Sequence, residues 1–330
     1  MKRVAPELLV VVDTEEEFDW TRPFDRANIA TTSILAQERA QAIYDRLGVT
    51  PTYMIDYPVA TSGEGAAYLR SLKDARRAEI GAHLHAWVTP PHEETVDSRN
   101  SFQCNLPSAL ERAKLESLTE AVTEAMGERP IAFKAGRYGF GAETARHLVD
   151  LGYRIDCSVL AHHDLRADGG PDFIGVPDQP HWLADAPDLL EIPVTNGFFG
   201  AVPSLSRAMP HLFDSRLATR LRLPGILARS GLVARSRLSP EGISAAEQKR
   251  LLRALVRAGG RTFSLVYHSS SLAPGHTPYV WTQGDLDRFI ETLEDVLTWF
   301  RDELDGRFTT PSRVHARMSA ERAATLQAAY

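Results

Sequence analysis

Eight short runs rich in β-branched and aromatic residues punctuate this chain, and stretches of helical periodicity fill most of the gaps between them. The runs lie near 8–12, 51–55, 79–83, 131–135, 153–157, 189–193, 263–267 and 307–310. Between them, Ile34 to Leu47, Ala66 to Arg77, Leu110 to Met126, Ala142 to Leu151, Ala245 to Ala258 and Leu286 to Leu304 repeat apolar residues every three or four positions. Such alternation is the pattern of βα units around a mainly parallel sheet. Seven or eight units predict an irregular α/β barrel of the (β/α)7 type, which one domain of 330 residues with inserted loops can accommodate. A doubly wound dinucleotide fold is disfavoured because no GxGxxG follows the first run.

Two stretches break the rhythm. Residues 87–107 are polar and proline-rich and follow a strand end, where barrel enzymes carry their active-site loops. Residues 201–240 form a basic insertion holding arginines 207, 216, 220, 222, 229, 235 and 237 against the single acid Asp214, with leucines among them. It reads either as short solvated helices with snorkelling arginines or as a basic apolar lid that meets an anionic carrier, a diphosphate or a membrane surface. The chain as a whole has a formal net charge of -6, which gives nucleic acid no electrostatic footing. Cys104 and Cys157 share no zinc or redox spacing and are expected to be free thiols. The N-terminal apolar run is shorter than a secretory core and passes directly into acids, so a cytoplasmic location is expected.

The first run ends in VVDTEEEFDW at 11–20. Asp13 and Glu15, two apart, project to the same side of an extended strand tip, where paired carboxylates call for a cation or a proton. Glu16, Glu17 and Asp19 are expected to be solvated acids of the following loop. The third run ends in EIGAHLHAW at 79–87, and His83 and His85 face one way by the same alternation. Imidazoles with a carboxylate suit a divalent metal, zinc first, with cobalt, nickel, iron or manganese as alternatives.

VVDTEEEF and IGAHLH together resemble the first two motifs of the polysaccharide deacetylases, the NodB-homology or carbohydrate esterase family 4 superfamily. The resemblance implies Asp13 as catalytic base and Glu15, His83 and His85 as metal ligands. That family's second histidine usually follows the first by four residues, where this chain has Trp87. FKAGRYG at 133–139 is similar to the third motif, with Lys134 at the usual arginine position and Arg137 as an alternative source of the guanidinium. YRIDCSV at 153–159 resembles the fourth motif and implies Asp156 as an orienting acid, while FSLVYHSSSL at 263–272 resembles the fifth and implies His268 as the catalytic acid. Trp87, Tyr138 and Trp182 are candidates for a sugar-stacking wall.

The resemblance implies a metal-dependent hydrolase that removes acyl groups from amino-sugar residues, free or lipid-linked, in the making of surface glycans. Alternatives are an amidohydrolase of small amides or ureides on the same fold, and a non-catalytic barrel that binds a glycan. A nucleotide-sugar transferase is disfavoured, because a metal diphosphate prefers oxygen ligands to the strand-end histidines.

Overall fold

The computed structural model describes residues 5–203 and 210–328. Its central sheet contains β1 (Glu7–Thr14), β2 (Thr52–Ile55), β3 (Glu79–Leu84), β4 (Ala132–Ala135), β5 (Ile155–Asp156), β6 (His181–Trp182) and β7 (Leu190–Glu191). A hairpin of β8 (Asn196–Phe199) and β9 (Ala234–Arg237) follows, then β10 (Thr262–His268) and β11 (Arg307–Phe308) return to the sheet. The strand order is β10-β1-β2-β3-β4-β5-β7-β6, parallel except for the β6–β7 edge, and β11 pairs with the start of β1. Every residue of β1 from Leu8 to Thr14 is buried, as expected of a parallel strand covered on both faces.

The sheet curls into an irregular (β/α)7-type barrel whose gap is bridged by single residues. Thr195 accepts from Leu238 N at 2.8 Å, Ser264 N donates to Thr195 Oγ1 at 2.8 Å, and Val266 N donates to Leu238 O at 3.0 Å. The hairpin that follows β7, the sixth parallel strand along the chain, thereby fastens that edge to β10.

All eight expected runs are strands, and the six expected helices are present with small shifts at their ends. The β8–β9 hairpin, the edge strand β6 and a last helix, Pro311–Ala328, were not anticipated. Within the basic insertion lie the short helices Arg216–Arg220 and Leu223–Arg229. Arg207 lies outside the described residues. Of the eleven large apolar side chains exposed among the described residues, six cluster here: Val202, Leu217, Leu221, Leu223, Ile226 and Leu232. No helix among the described residues is long and apolar enough to cross a membrane.

One buried cation organises the loop after β3. Lys114, on the helix Ser108–Met126, donates to the carbonyls of Ala86 (2.9 Å), Thr89 (2.6 Å) and Pro91 (2.7 Å) and pairs with Glu94 at 2.9 Å. Burial pulls its ammonium below the usual lysine value, which is tolerable only because these acceptors replace water. Lys114→Met should therefore cost about 3 kcal/mol or more in denaturant unfolding, by leaving Glu94 and three carbonyls poorly paired. A loss below about 1 kcal/mol would show that the loop does not depend on this residue.

Candidate metal and acid–base site

The C-terminal ends of β1, β3, β4 and β10 open into a cavity of about 350 Å³. Asp13, Glu15, His83, His85, Trp87, Lys134, Arg137, Tyr138 and His268 all line it. Parallel register puts His83 beside Lys134 and Asp13 beside His268, so neighbouring strands deliver these groups at one level.

At the base of the cavity Glu15, His83 and His85 are buried to within 3% of full enclosure. His83 Nδ1 lies 2.9 Å from the Lys134 carbonyl and His85 Nδ1 lies 2.7 Å from Glu16 Oε2. Both partners are acceptors, which assigns the proton of each ring to Nδ1 and leaves each Nε2 with a lone pair. Yet the two Nε2 atoms stand 3.1 Å apart, at 3.6 Å and 3.4 Å from Glu15 Oε2. Glu15 Oε1 has no hydrogen-bond partner. Two lone pairs and a carboxylate converging in a dry site repel one another unless a cation or a proton sits among them.

The electrostatics agree. Burial, then the carboxylates of Glu16, Asp13, Asp56 and Glu241, drives Glu15 well above the usual carboxylate range. Burial, then the positive charges around them, holds His83 well below its ordinary value, and His85, which burial likewise depresses, falls to about 4. Both rings are thus neutral, as ligands must be. These three residues fit a divalent ion; a second group, Glu16, Asp56 and His85, is already joined by hydrogen bonds within the protein.

Gly136 makes this packing feasible. A Cβ there would stand 2.4 Å from His85 Cδ2 and 2.5 Å from the Leu84 carbonyl. The glycine of the FKAGRYG segment therefore gives the His85 ring its room over the end of β4.

Beside the ligand cluster, Lys134 forms a short ion pair with Asp13. Burial works against the lysine's charge, but the Asp13 carboxylate outweighs it and holds the ammonium above its usual value. Asp13 Oδ1 remains without a partner. On the other side, His268 presents Nε2 at 3.8 Å from Asp13 Oδ2. Its Nδ1 faces both oxygens of Glu241 at 3.0 Å, and Glu241 also accepts from the His268 amide (3.0 Å) and Ser271 Oγ (2.6 Å). Although burial alone would raise Glu241, His268 leads the contacts that keep its carboxyl below the usual value, so a charged acid fixes the ring and frees Nε2 for chemistry.

Several sequence expectations need correction. Glu16 is not a solvated loop acid: it is fully buried, accepts from Trp87 Nε1 at 2.8 Å, and holds His85. Burial raises its carboxyl to about 7. Trp87 lies buried behind the site, stacked on His85 and Phe24 at centroid distances of 4.2 Å and 4.3 Å. Arg137 lines the cavity, but its guanidinium is bound by Ser98 and Ser101 and lies 4.0 Å over the Phe102 ring, away from Asp13. Asp156 is enclosed below the cavity, where it binds Ser158, whose Oγ in turn accepts from Ala135 N at 2.7 Å. From there it can position the end of β4, as an orienting acid would, and it does not line the cavity. Trp182 is remote from the cavity and packs against Arg322 and His315 of the last helix.

Sequence reasoning missed Glu241, which sits in a loop 27 residues before His268 with no spacing to announce it. It also missed the aromatic wall of Phe18, Trp20, Phe24 and Tyr279. Trp20 packs edge-on against His268 at 4.9 Å and sits within reach of Tyr279. Its only signal was the aromatic content of the segment just after the acids.

No family model matches the sequence, and no curated protein matches it either. Solved structures do. A Mycobacterium smegmatis protein assigned as a polysaccharide deacetylase aligns with 98% of this chain and 93% of its own (TM-score 0.54, 17% identity). Puue allantoinase aligns over 95% and 90% (TM-score 0.56, 14% identity), and a Pseudomonas aeruginosa PAO1 protein assigned as a polysaccharide deacetylase over 94% and 89% (TM-score 0.52, 15% identity). At these identities the likeness establishes architecture, and the chain accordingly has the fold of the polysaccharide deacetylases.

Proposed function

We propose that the protein is a metal-dependent hydrolase that removes N-acetyl or other acyl groups from amino-sugar residues. The observation that carries this reading is the pair of unprotonated imidazole nitrogens 3.1 Å apart against buried Glu15, with Asp13 and His268 side by side on neighbouring strand tips that line the same cavity. Glu15, His83 and His85 would hold a divalent ion, for which zinc suits the donor set, and it would supply Lewis-acid polarisation of the acyl carbonyl and acidify an attacking water.

The chain's own groups divide the proton work. Asp13 Oδ1, free while Oδ2 is held by Lys134, is placed to accept the water's proton. The Lys134 ammonium keeps that carboxylate in one orientation. His268, locked through Nδ1 by Glu241, turns Nε2 to the cavity and is placed to protonate the departing sugar nitrogen. The aromatic wall offers faces on which a sugar ring can stack.

Allantoinase among the structural neighbours favours one second reading, hydrolysis of a small amide on the same centre. Acetate release from N-acetylglucosamine oligomers, measured beside ring opening of small cyclic amides, separates the two. The exposed leucines of 217–232, with exposed Arg220, Arg222 and Arg229, support a further element of the proposal, that the substrate is lipid-linked and met at an anionic membrane surface in surface-glycan synthesis. Co-sedimentation with anionic liposomes should be strong at low salt and lost at high salt; no sedimentation at low salt removes this element.

Elemental measurement on purified protein should give about one divalent ion per chain, with His83→Ala and His85→Ala both losing it. Gly136→Ala, by displacing the His85 ring, should weaken retention at least tenfold; unchanged metal content would mean the ring is not a ligand. Because Glu15 is pushed up by burial, loading the ion near neutral pH should expel its proton, visible as a buffer-dependent heat in calorimetry. Asp13→Asn and His268→Ala should keep the ion and lose on the order of 10²- to 10⁴-fold in kcat. Full turnover in either variant would remove the acid and base assignments.

A further inference from the structure

One corner of the cavity is rich in donors and poor in acceptors. Arg237, at the end of β9, lines the cavity. Its two guanidinium contacts to side chains are long, 3.4 Å to the Tyr138 hydroxyl and 3.5 Å to the Tyr279 hydroxyl. Among the described residues no carboxylate comes within ion-pair distance of it, although arginines elsewhere in the chain, such as Arg235 with Asp214 at 2.6 Å, are paired. Glu241 is nearby in the electrostatic sense, but its oxygens are taken by His268 and Ser271. The indole nitrogen of Trp20, which packs on the ring of Tyr279, is buried with no hydrogen-bond partner.

The backbone is bent to build this corner. Arg137 and Tyr138 both adopt left-handed conformations, φ 53° and 60°, an arrangement that costs non-glycine residues energy and persists where the surroundings impose it. The result is that Arg137 turns to the 98–102 loop while Tyr138 turns its hydroxyl to Arg237 and its ring over Lys134, 5.1 Å from the ammonium. A guanidinium with unused donors, flanked by two phenols, is complementary to a planar or tetrahedral anion.

Resting on the hydrolase reading above, we propose that Arg237 is a specificity-determining residue and that the substrate is an N-acylated sugar bearing an anionic group, a carboxylate or a phosphate, which seats on Arg237 with Tyr138 and Tyr279. In this arrangement the acyl group meets the ligand cluster while the anion is held by Arg237. Neutral N-acyl sugars lack the second anchor.

Calorimetric binding of four probes to the full chain tests this without turnover: N-acetylglucosamine, N-acetylmuramic acid, N-acetylglucosamine 1-phosphate and N-acetylglucosamine 6-phosphate. At least one charged probe should bind about ten- to a hundredfold more tightly than the neutral sugar, and whether the carboxylate or a phosphate wins identifies the anion. Arg237→Met should abolish the preference, Arg237→Lys should retain part of it, and Arg250→Met, on the exposed face of the helix Ala245–Arg257, should leave it intact. Thermal melting of each variant separates lost recognition from lost folding. Equal binding of charged and neutral probes, no binding of any charged probe, or a preference that survives in a folded Arg237→Met protein overturns the assignment. Failure here with intact, Asp13-dependent deacylation of neutral sugars would leave the hydrolase reading standing.

Discussion

Two buried imidazole lone pairs and a buried carboxylate meet at one end of the cavity, and much of the surrounding structure is organised to hold them there. His83 is turned by a backbone carbonyl of the neighbouring strand, and His85 by a buried acid that is itself held by an indole and by its own amide's bond to Asp56. A glycine leaves space for the second ring, and Lys114 ties the loop behind it to three carbonyls. With Glu15 ionised and no cation or proton among them the arrangement would be repulsive, so the buried framework is suited to a divalent ion.

The same economy governs the proposed acid and base. Asp13 and His268 come from adjacent strands in register, so their separation is set by the sheet rather than by flexible loops. Each is then fixed from behind by an opposite charge, Lys134 for the aspartate and Glu241 for the histidine. Lysine at the position where arginine is usual delivers a point charge to one oxygen, leaving the other free, whereas a bidentate guanidinium would engage both.

The barrel was legible because its strands carry apolar runs that local periodicity reveals, and the convergence of Asp13, Glu15, His83 and His85 on one cavity because strand alternation places each pair on one side. The unread parts depend on contacts between distant segments. Glu16 looks like its neighbours Glu17 and Asp19 in sequence, and only the approach of Trp87 and His85 distinguishes it. Glu241 and Arg237 come from the insertion and the loop after it, where the β8–β9 hairpin, too short and too polar to show periodicity, carries them to the cavity. Trp182 misled because an aromatic side chain carries no sign of which end of a barrel it packs on.

X-ray absorption at the metal edge of the purified protein tests the central claim most directly. With zinc bound, two nitrogen neighbours of imidazole type at about 2.0–2.1 Å together with oxygen are expected. An ion surrounded by oxygen alone, or a protein that takes up no divalent metal at neutral pH, would contradict it.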